Sequence, residues 1–139
     1  CHIYDLFNFF TNSKVLNVQA QSLVSEIGYY SARDNFVATV SYEDGSVATL
    51  TYTALGAKDY PKEHMELYCD GKVFVLDDYQ KLITYGVKAK EIQTKISEKG
   101  QKEEIEAFAR CILNGGEWPI PLWQQVQAME IAFEVEKFL

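Results

Sequence analysis

The chain has 139 residues, of which 47% are hydrophobic and 14% aromatic, and these figures are typical of one folded domain rather than a disordered segment. A formal net charge of -7 disfavours binding to nucleic acid or to an anionic membrane, since both depend on lysine and arginine. Three cysteines, Cys1, Cys69 and Cys111, cannot all pair and show no CxxC spacing, which indicates a reducing compartment. With no signal peptide visible and no apolar run near the ~20 residues of a membrane span, a cytoplasmic protein is expected.

Residues 2–10 have the pattern of an amphipathic helix. Apolar residues recur at the i, i+3, i+4, i+7 spacing of one helix face, namely Ile3, Leu6, Phe7 and Phe10. The polar cluster Thr11-Asn12-Ser13 follows them and predicts the end of this helix.

The middle of the chain has the composition of strands joined by tight turns. Segments rich in β-branched and aromatic residues form two predicted hairpins, 36–42 with 46–53 and 65–69 with 72–76. Asp44-Gly45 and Asp70-Gly71 lie between the paired segments, and Asp-Gly is a strong turn signal because glycine tolerates positive φ. Shorter strand candidates are 15–20, 81–85 and 91–97. Strands joined by such short turns pair antiparallel, because parallel neighbours need a long crossover.

Helical periodicity returns after Gly100. Segment 103–113 carries an apolar stripe formed by Ile105, Phe108, Ala109 and Ile112. A last helix opens at Pro121, and four apolar residues lie along one of its faces: Leu122, Val126, Met129 and Phe133. Strands and helices that are segregated along the sequence predict an α+β fold, an open, mainly antiparallel β-sheet with helices packed on one face.

The opposite face of the sheet is rich in threonine. In one of two registers, it carries Val37, Thr39 and Ser41 on one strand and Val47, Thr49, Thr51 and Thr53 on the next. Such a face is too apolar for plain solvent and too polar for a core, so a partner subunit is its expected cover. A homo-oligomer that associates through the sheet face is therefore predicted.

Three segments of the chain, taken in their order along the sequence, resemble the segments of a known domain. The chain opens on Cys1-His2-Ile3-Tyr4-Asp5-Leu6, continues through the hairpin at 34–48, and closes on residues 103–108 followed by Pro119-Ile120-Pro121-Leu122. In that order these segments resemble the helix start, the central hairpin and the closing helices of the C-terminal domain of the Gfo/Idh/MocA oxidoreductases. Together they span nearly the whole chain.

For residues 1–139 the resemblance implies a glyceraldehyde-3-phosphate dehydrogenase-like C-terminal domain, preceded in a longer protein by a Rossmann domain. That N-terminal domain would bind NAD or NADP, and the present chain contains neither a GxGxxG motif nor the family's Glu-Lys-Pro motif. The implied substrate is a sugar, a nucleotide sugar or a cyclitol. The chain alone is therefore expected to be inactive and to contribute no cofactor-binding residue.

The resemblance implies a catalytic or substrate-contact role for His2, and the carboxylate of Asp5 would either bind a substrate hydroxyl or orient the His2 imidazole. Oxidation of a secondary alcohol needs a base for the hydroxyl proton, and histidines titrate near neutrality. Residues three apart on a helix are neighbours on one side, as His2 and Asp5 would be. The family's further aspartate, four residues before the histidine, would precede Cys1. Without the resemblance, a first-turn histidine is more often a surface or capping residue, and the helix dipole favours a first-turn acid.

Structural roles are predicted for the remaining polar and aromatic residues that could have formed a site. His64 lies at the start of a strand and is expected at the surface, and Asp77-Asp78 are expected to solvate a turn. Trp118 and Trp123 are expected to pack the last helix. Two histidines so far apart, without matched cysteines or acids, predict no metal site.

Two other functions stay open. If no Rossmann region precedes the chain, a non-catalytic α+β module that binds a protein partner through its sheet face becomes the better interpretation. A small-ligand pocket between sheet and helices is equally compatible with the composition, because a fold does not by itself specify a function.

Overall fold

The computed structural model describes residues 1–24, 28–97 and 99–139. Their α-helices and strands are α1 (His2–Thr11), β1 (Val15–Ser22), β2 (Asn35–Tyr42), β3 (Val47–Thr53), β4 (His64–Cys69), β5 (Lys72–Asp77), β6 (Lys81–Tyr85), β7 (Ile92–Gln93), α2 (Gln101–Asn114) and α3 (Leu122–Glu136). The chain divides into two compact units, the first made of residues 1–56 with 116–139 and the second of residues 57–115. No helix in the described ranges is long and apolar enough to cross a membrane.

In the first unit β1, β2 and β3 form an antiparallel sheet with β2 in the centre. The predicted turn between β2 and β3 is present, and Gly45 adopts a φ of 87° that residues with a Cβ rarely tolerate. Asp44 stabilises this turn because its carboxylate accepts hydrogen bonds from the backbone N–H and the hydroxyl of Ser46, both at 2.9 Å. The predicted end of α1 is confirmed at Asn12, which takes the left-handed conformation at φ 46°.

Alternate residues of β2 face the helices and form the core. Ala38, Val40 and Tyr42 are buried in one cluster with Tyr4 of α1 and Ile131 of α3. Burial raises the pKa of the Tyr4 hydroxyl to about 12, and burial, with a smaller effect of the Asp44 carboxylate, also raises the pKa of Tyr42. Both phenols therefore stay neutral at physiological pH.

The pairing of β2 with β3 decides between the two registers that the sequence allows. Val37 lies opposite Thr51 and Thr39 opposite Thr49, on the face away from the core cluster. On β1, Gln19 lies opposite Thr39 and extends the same face. This outer face carries no charged residue and consists of Asn17, Gln19, Gln21, Asn35, Val37, Thr39, Ser41, Val47, Thr49, Thr51 and Thr53.

The helix α3 does not bury its most apolar side, and α1 buries its predicted stripe only in part. An apolar stripe usually marks the buried side of a helix. However, α3 exposes Leu122, Val126, Met129 and Phe133, and it buries the opposite side: Gln124, Gln127, Ala128, Ile131 and Val135. In α1 the buried residues are Tyr4 and Asn8, whereas Phe10 of the predicted stripe is exposed. Amide side chains can occupy a core when their hydrogen bonds are made inside it.

In the second unit β4, β5, β6 and β7 form an antiparallel sheet in that order. The hairpin at Asp70-Gly71 is present as predicted. The last strand is shorter than the predicted segment 91–97. It ends where Thr94 donates a hydrogen bond from its hydroxyl to the Ile96 carbonyl (2.6 Å), which turns the chain locally. The helix α2 has no buried residue.

The predicted α+β class with open antiparallel sheets is confirmed, although the strands are divided between two sheets. In the first unit, α1 and α3 both pack on the same face of the sheet, as the segregation of strands and helices predicts.

Candidate functional site

The first turn of α1 carries both residues to which the sequence assigns chemistry. The helix begins at His2 with Cys1 as its N-cap residue, and its first turn closes through the hydrogen bond from the Asp5 N–H to the Cys1 carbonyl (3.0 Å). His2 is exposed and Asp5 is half-buried. Because they lie three residues apart on a helix, both side chains lie on the same side of it.

A buried network of amide side chains holds α1 against α3. Asn8 is 0% exposed, and its Nδ2 donates a hydrogen bond to the Gln124 backbone carbonyl (3.1 Å). The Asn8 Oδ1 accepts hydrogen bonds from Gln127 Nε2 (2.9 Å) and from the Tyr42 hydroxyl (3.3 Å). Gln124 Nε2 donates in return to the Asn8 carbonyl (3.4 Å) and to Asn12 Oδ1 (3.1 Å). The helix that carries His2 is therefore fixed by side chains from the last helix and the central strand.

The same network reaches the start of β1. Gln127 Nε2 also donates to the Ser13 carbonyl (3.0 Å), and Gln127 Oε1 accepts from the Val15 N–H (3.2 Å). Within the described residues, every buried side-chain nitrogen and oxygen has a hydrogen-bond partner. This network was not predicted from the sequence, and its available signal was the three-residue spacing of Gln124 and Gln127 opposite the apolar stripe.

A groove of about 660 Å³ lies on the first unit beside α3. Its walls include Lys14 and Val15 on one side and Leu122, Trp123, Val126 and Glu130 of α3 on the other. The ammonium of Lys14 lies 4.0 Å from the centre of the Trp123 ring, which is a cation–π contact. Neither His2 nor Asp5 lines this groove.

A second groove, of about 410 Å³, lies on the second unit. Its charged lining residues are balanced, three lysines with three aspartates: Lys58, Lys62, Lys81, Asp59, Asp77 and Asp78. This balance gives no preference for an anion or a cation. In the parts of the chain that the structure describes, no three histidine, cysteine, aspartate or glutamate side chains are grouped so that they could hold a metal ion.

His64 lies at the surface, as predicted, and forms a pair across two strands. Its Nδ1 is 2.6 Å from Asp77 Oδ1, and its Nε2 is 3.4 Å from Glu66 Oε1. The carboxylate of Glu66 also accepts a hydrogen bond from the Tyr68 hydroxyl. The hydrogen bond to Asp77 is the largest cause that raises the pKa of His64 above its usual value. This pairing is predictable from the sequence. The two-residue turn at Asp70-Gly71 fixes the register of the hairpin, and in that register His64 lies opposite Asp77.

The pairing of His64 with Asp77 is expected to make the stability of the protein depend on pH. Because the folded-state pKa of His64 is raised, its stabilisation is complete below the unfolded value of about 6.5 and is lost as the pH rises through the folded value. For so exposed a pair the effect is about 1 kcal/mol at most. The measurement is the free energy of unfolding of the protein and its H64Q variant between about pH 5 and 9. The difference in the free energy of unfolding between the protein and H64Q should shrink as the pH rises. A difference that stays constant would show that the pairing of His64 with Asp77 does not cause the pH dependence.

Neither a family model nor a curated protein matches the chain. Solved structures match it over nearly its full length. UDP-N-acetylglucosamine 3-dehydrogenase GnnA from Acidithiobacillus ferrooxidans matches with a TM-score of 0.78 and 17% identity, over 99% of this chain and 45% of GnnA. A putative oxidoreductase from Thermotoga maritima matches with a TM-score of 0.72 and 19% identity, over 99% of this chain and 42% of that protein. The WlbA dehydrogenase from Bordetella pertussis, in complex with NADH and UDP-GlcNAcA, matches with a TM-score of 0.57 and 15% identity, over 99% of this chain and 40% of WlbA.

The chain has the fold of the C-terminal domain of these oxidoreductases. The resemblance found in the sequence is therefore confirmed at the level of the fold. The chain spans less than half the length of each of the three proteins. At 15% to 19% identity the likeness transfers no residue roles, so those of His2 and Asp5 stay predictions.

Proposed function

We propose that the chain is the substrate-binding and oligomerisation domain of an NAD(P)-dependent oxidoreductase that acts on a sugar, a nucleotide sugar or a cyclitol. Residues 1–139 would be the C-terminal domain of a longer protein whose upstream Rossmann domain binds NAD or NADP. The observation that carries the proposal is the shared fold over 99% of the chain. One of the similar proteins is named a UDP-N-acetylglucosamine 3-dehydrogenase, and another was solved with NADH and UDP-GlcNAcA.

In this proposal the first turn of α1 provides the chemistry. NAD or NADP, which the upstream domain would mainly hold, would supply the hydride acceptor for the substrate carbon. His2 takes the proton of the reacting hydroxyl, and Asp5 binds a neighbouring substrate hydroxyl. The exposure of the His2 side chain is compatible with this role, because a base must reach the substrate. The amide network around Asn8 supports it by fixing the helix, since a misplaced base loses much of its effect.

Turnover by the full-length natural protein tests this function. The protein is mixed with NAD or NADP and with a panel of nucleotide sugars, free sugars and cyclitols that includes UDP-N-acetylglucosamine. We expect nicotinamide reduction with at least one member of the panel. A natural gene without an upstream Rossmann region, or a full-length protein that binds neither dinucleotide, would refute the oxidoreductase function.

A non-catalytic interaction module is the second candidate. It is favoured by the outer face of the first sheet, where eleven residues on three strands include no charge although 24% of the chain is charged. Such a surface is suited to contact with another protein. This candidate needs no upstream domain, so the cofactor-binding experiment separates it from the oxidoreductase.

Within the oxidoreductase proposal, the outer face joins two copies of the protein. Thr49 lies on this face opposite Thr39 of the central strand. In the full-length protein, we expect T49D to dissociate the oligomer, because a carboxylate buried without a partner costs several kcal/mol. The matched variant T49V keeps the shape of the side chain and should leave the oligomer intact. Sedimentation velocity reads out both, and a T49D protein that stays oligomeric would show that this face is not the interface.

A further inference from the structure

The face of the first sheet that carries the core ends in two stacked aromatic rings. Phe36 of β2 lies opposite Tyr52 of β3, and their ring centroids are 5.4 Å apart with an angle of 25° between the ring planes. Two residues further along β2, Ala38 lies on the same face and is 0% exposed, whereas Tyr52 is 51% exposed. The helices therefore cover the middle of this face and leave Tyr52 open at its end. Phe36 and Tyr52 are called the aromatic pair below.

Tyr52 combines an apolar ring with a polar tip. The Phe36 ring supports one side of the Tyr52 ring, so Tyr52 is held in place although half of it is exposed. In the part of the chain that the structure describes, the Tyr52 hydroxyl has no hydrogen-bond partner. A phenolic hydroxyl can both donate and accept, so Tyr52 offers a ligand a flat apolar surface and a hydrogen-bonding group together.

The hydrogen bonds between α1 and α3 fix the direction of the first helix. Asn12, directly after α1, accepts a hydrogen bond from Gln124 Nε2 near the start of α3 (3.1 Å). Asn8, about one turn earlier in α1, accepts one from Gln127 Nε2, about one turn later in α3 (2.9 Å). The two helices therefore run antiparallel, and the first turn of α1, with His2, points towards the C-terminal end of α3.

The start of β2 lies at that same end of the first unit. Near the start of α3, Gln127 Oε1 accepts a hydrogen bond from the N–H of Val15, which pairs with Tyr42 at the end of β2. Near the end of α3, Glu136 pairs with Arg33, two residues before β2, with 3.1 Å between Oε1 and Nε. Thus α3 runs antiparallel to β2. The aromatic pair and the first turn of α1 consequently lie at the same end of the first unit.

We propose that Tyr52, supported by Phe36, binds the sugar or cyclitol ring of the substrate. The Tyr52 ring stacks against the C–H face of the substrate ring, and its hydroxyl forms a hydrogen bond with a substrate hydroxyl. Such substrates carry apolar C–H faces with hydroxyl groups around them, so they need an aromatic surface and a few polar groups. The inference rests on the function proposed above, because His2 acts on a hydroxyl of that same ring.

Kinetics of the full-length protein, with the substrate identified from the panel, test the aromatic pair. The variant Y52L removes the flat ring but keeps an apolar contact for Phe36, and Y52F removes the hydroxyl alone. We expect KM for the substrate to rise at least about tenfold in Y52L and about threefold in Y52F. The value of kcat should change little, because the lost contacts bind the substrate and its transition state alike. KM for NAD or NADP should stay the same.

An exposed tyrosine of the second unit provides the matched control. Tyr85 is 56% exposed, and Y85L should leave every kinetic constant unchanged. An equal rise of KM in Y85L and Y52L would refute the inference. If the substrate is a nucleotide sugar, inhibition by the matching nucleoside diphosphate should be as strong in Y52L as in the unchanged protein. Weaker inhibition, to the same extent as the rise of KM, would put the base on the aromatic pair and also refute the inference.

The remaining outcomes separate the aromatic pair from the proposed function. If Y52F and Y52L turn over the substrate with unchanged KM, the aromatic pair is refuted and the oxidoreductase proposal stands. If Y52L does not fold, Y52F decides, because it keeps the ring: an unchanged KM in Y52F refutes the inference. If the full-length protein binds neither dinucleotide, both proposals fail.

Discussion

Replacement of His2 by alanine in the full-length protein is expected to lower kcat by about 10²–10⁴-fold, the usual contribution of a general base. The reason is that His2 is the residue to which the proposal assigns the proton of the reacting hydroxyl. The measurement is nicotinamide reduction with the substrate identified from the panel, in the protein and the H2A variant.

The other histidine of the chain provides the control for this experiment. His64 lies in the second unit and pairs with Asp77 at the surface, so H64A should change kcat little. The binding of NAD or NADP should be the same in both variants, because the dinucleotide is bound mainly by the upstream domain. Unchanged turnover by H2A would remove His2 from catalysis and would favour its alternative role as a surface residue at the helix start.

Replacement of Asn8 by alanine is expected to lower the free energy of unfolding by roughly 2–4 kcal/mol. The variant leaves a cavity at a position that is 0% exposed, and it removes the side-chain partner of the Gln124 carbonyl and of the Tyr42 hydroxyl. A buried polar group that loses its partner keeps the full cost of its removal from water. Urea unfolding of the protein and the variant measures this difference.

An exposed glutamine of α3, Gln125, serves as the control for Asn8. The side chain of Gln125 donates a hydrogen bond from its Nε2 to the Ile120 carbonyl and lies at the surface. The change Q125A should therefore cost less than about 1 kcal/mol. Equal effects of N8A and Q125A would mean that the buried network contributes little, and that α1 is held to α3 by apolar contacts such as those of Tyr4 and Ile131.

Local signals in the sequence were sufficient for most of the helices and strands. The turn at Asp44-Gly45 was predictable because it depends on the conformations of a few adjacent residues, and the end of α1 at Asn12 was predictable for the same reason. The order of strands and helices likewise predicted the α+β class, which the structure confirms. The pairing of His64 with Asp77 could also have been read from the sequence, because a two-residue turn sets the register of its hairpin.

By itself, then, the sequence determined the type and the limits of the longer elements, together with the family whose fold this chain shares. Only the tertiary structure decided which sides of α1 and α3 are buried. A prediction from periodicity assumes that the apolar side of a helix is buried, but here Asn8 and Gln124, 116 positions apart, satisfy their hydrogen bonds together in the core. The apolar side of α3 therefore faces outward, with Leu122, Val126, Met129 and Phe133 exposed. Such a choice depends on partners that are distant in sequence, so no local pattern encodes it.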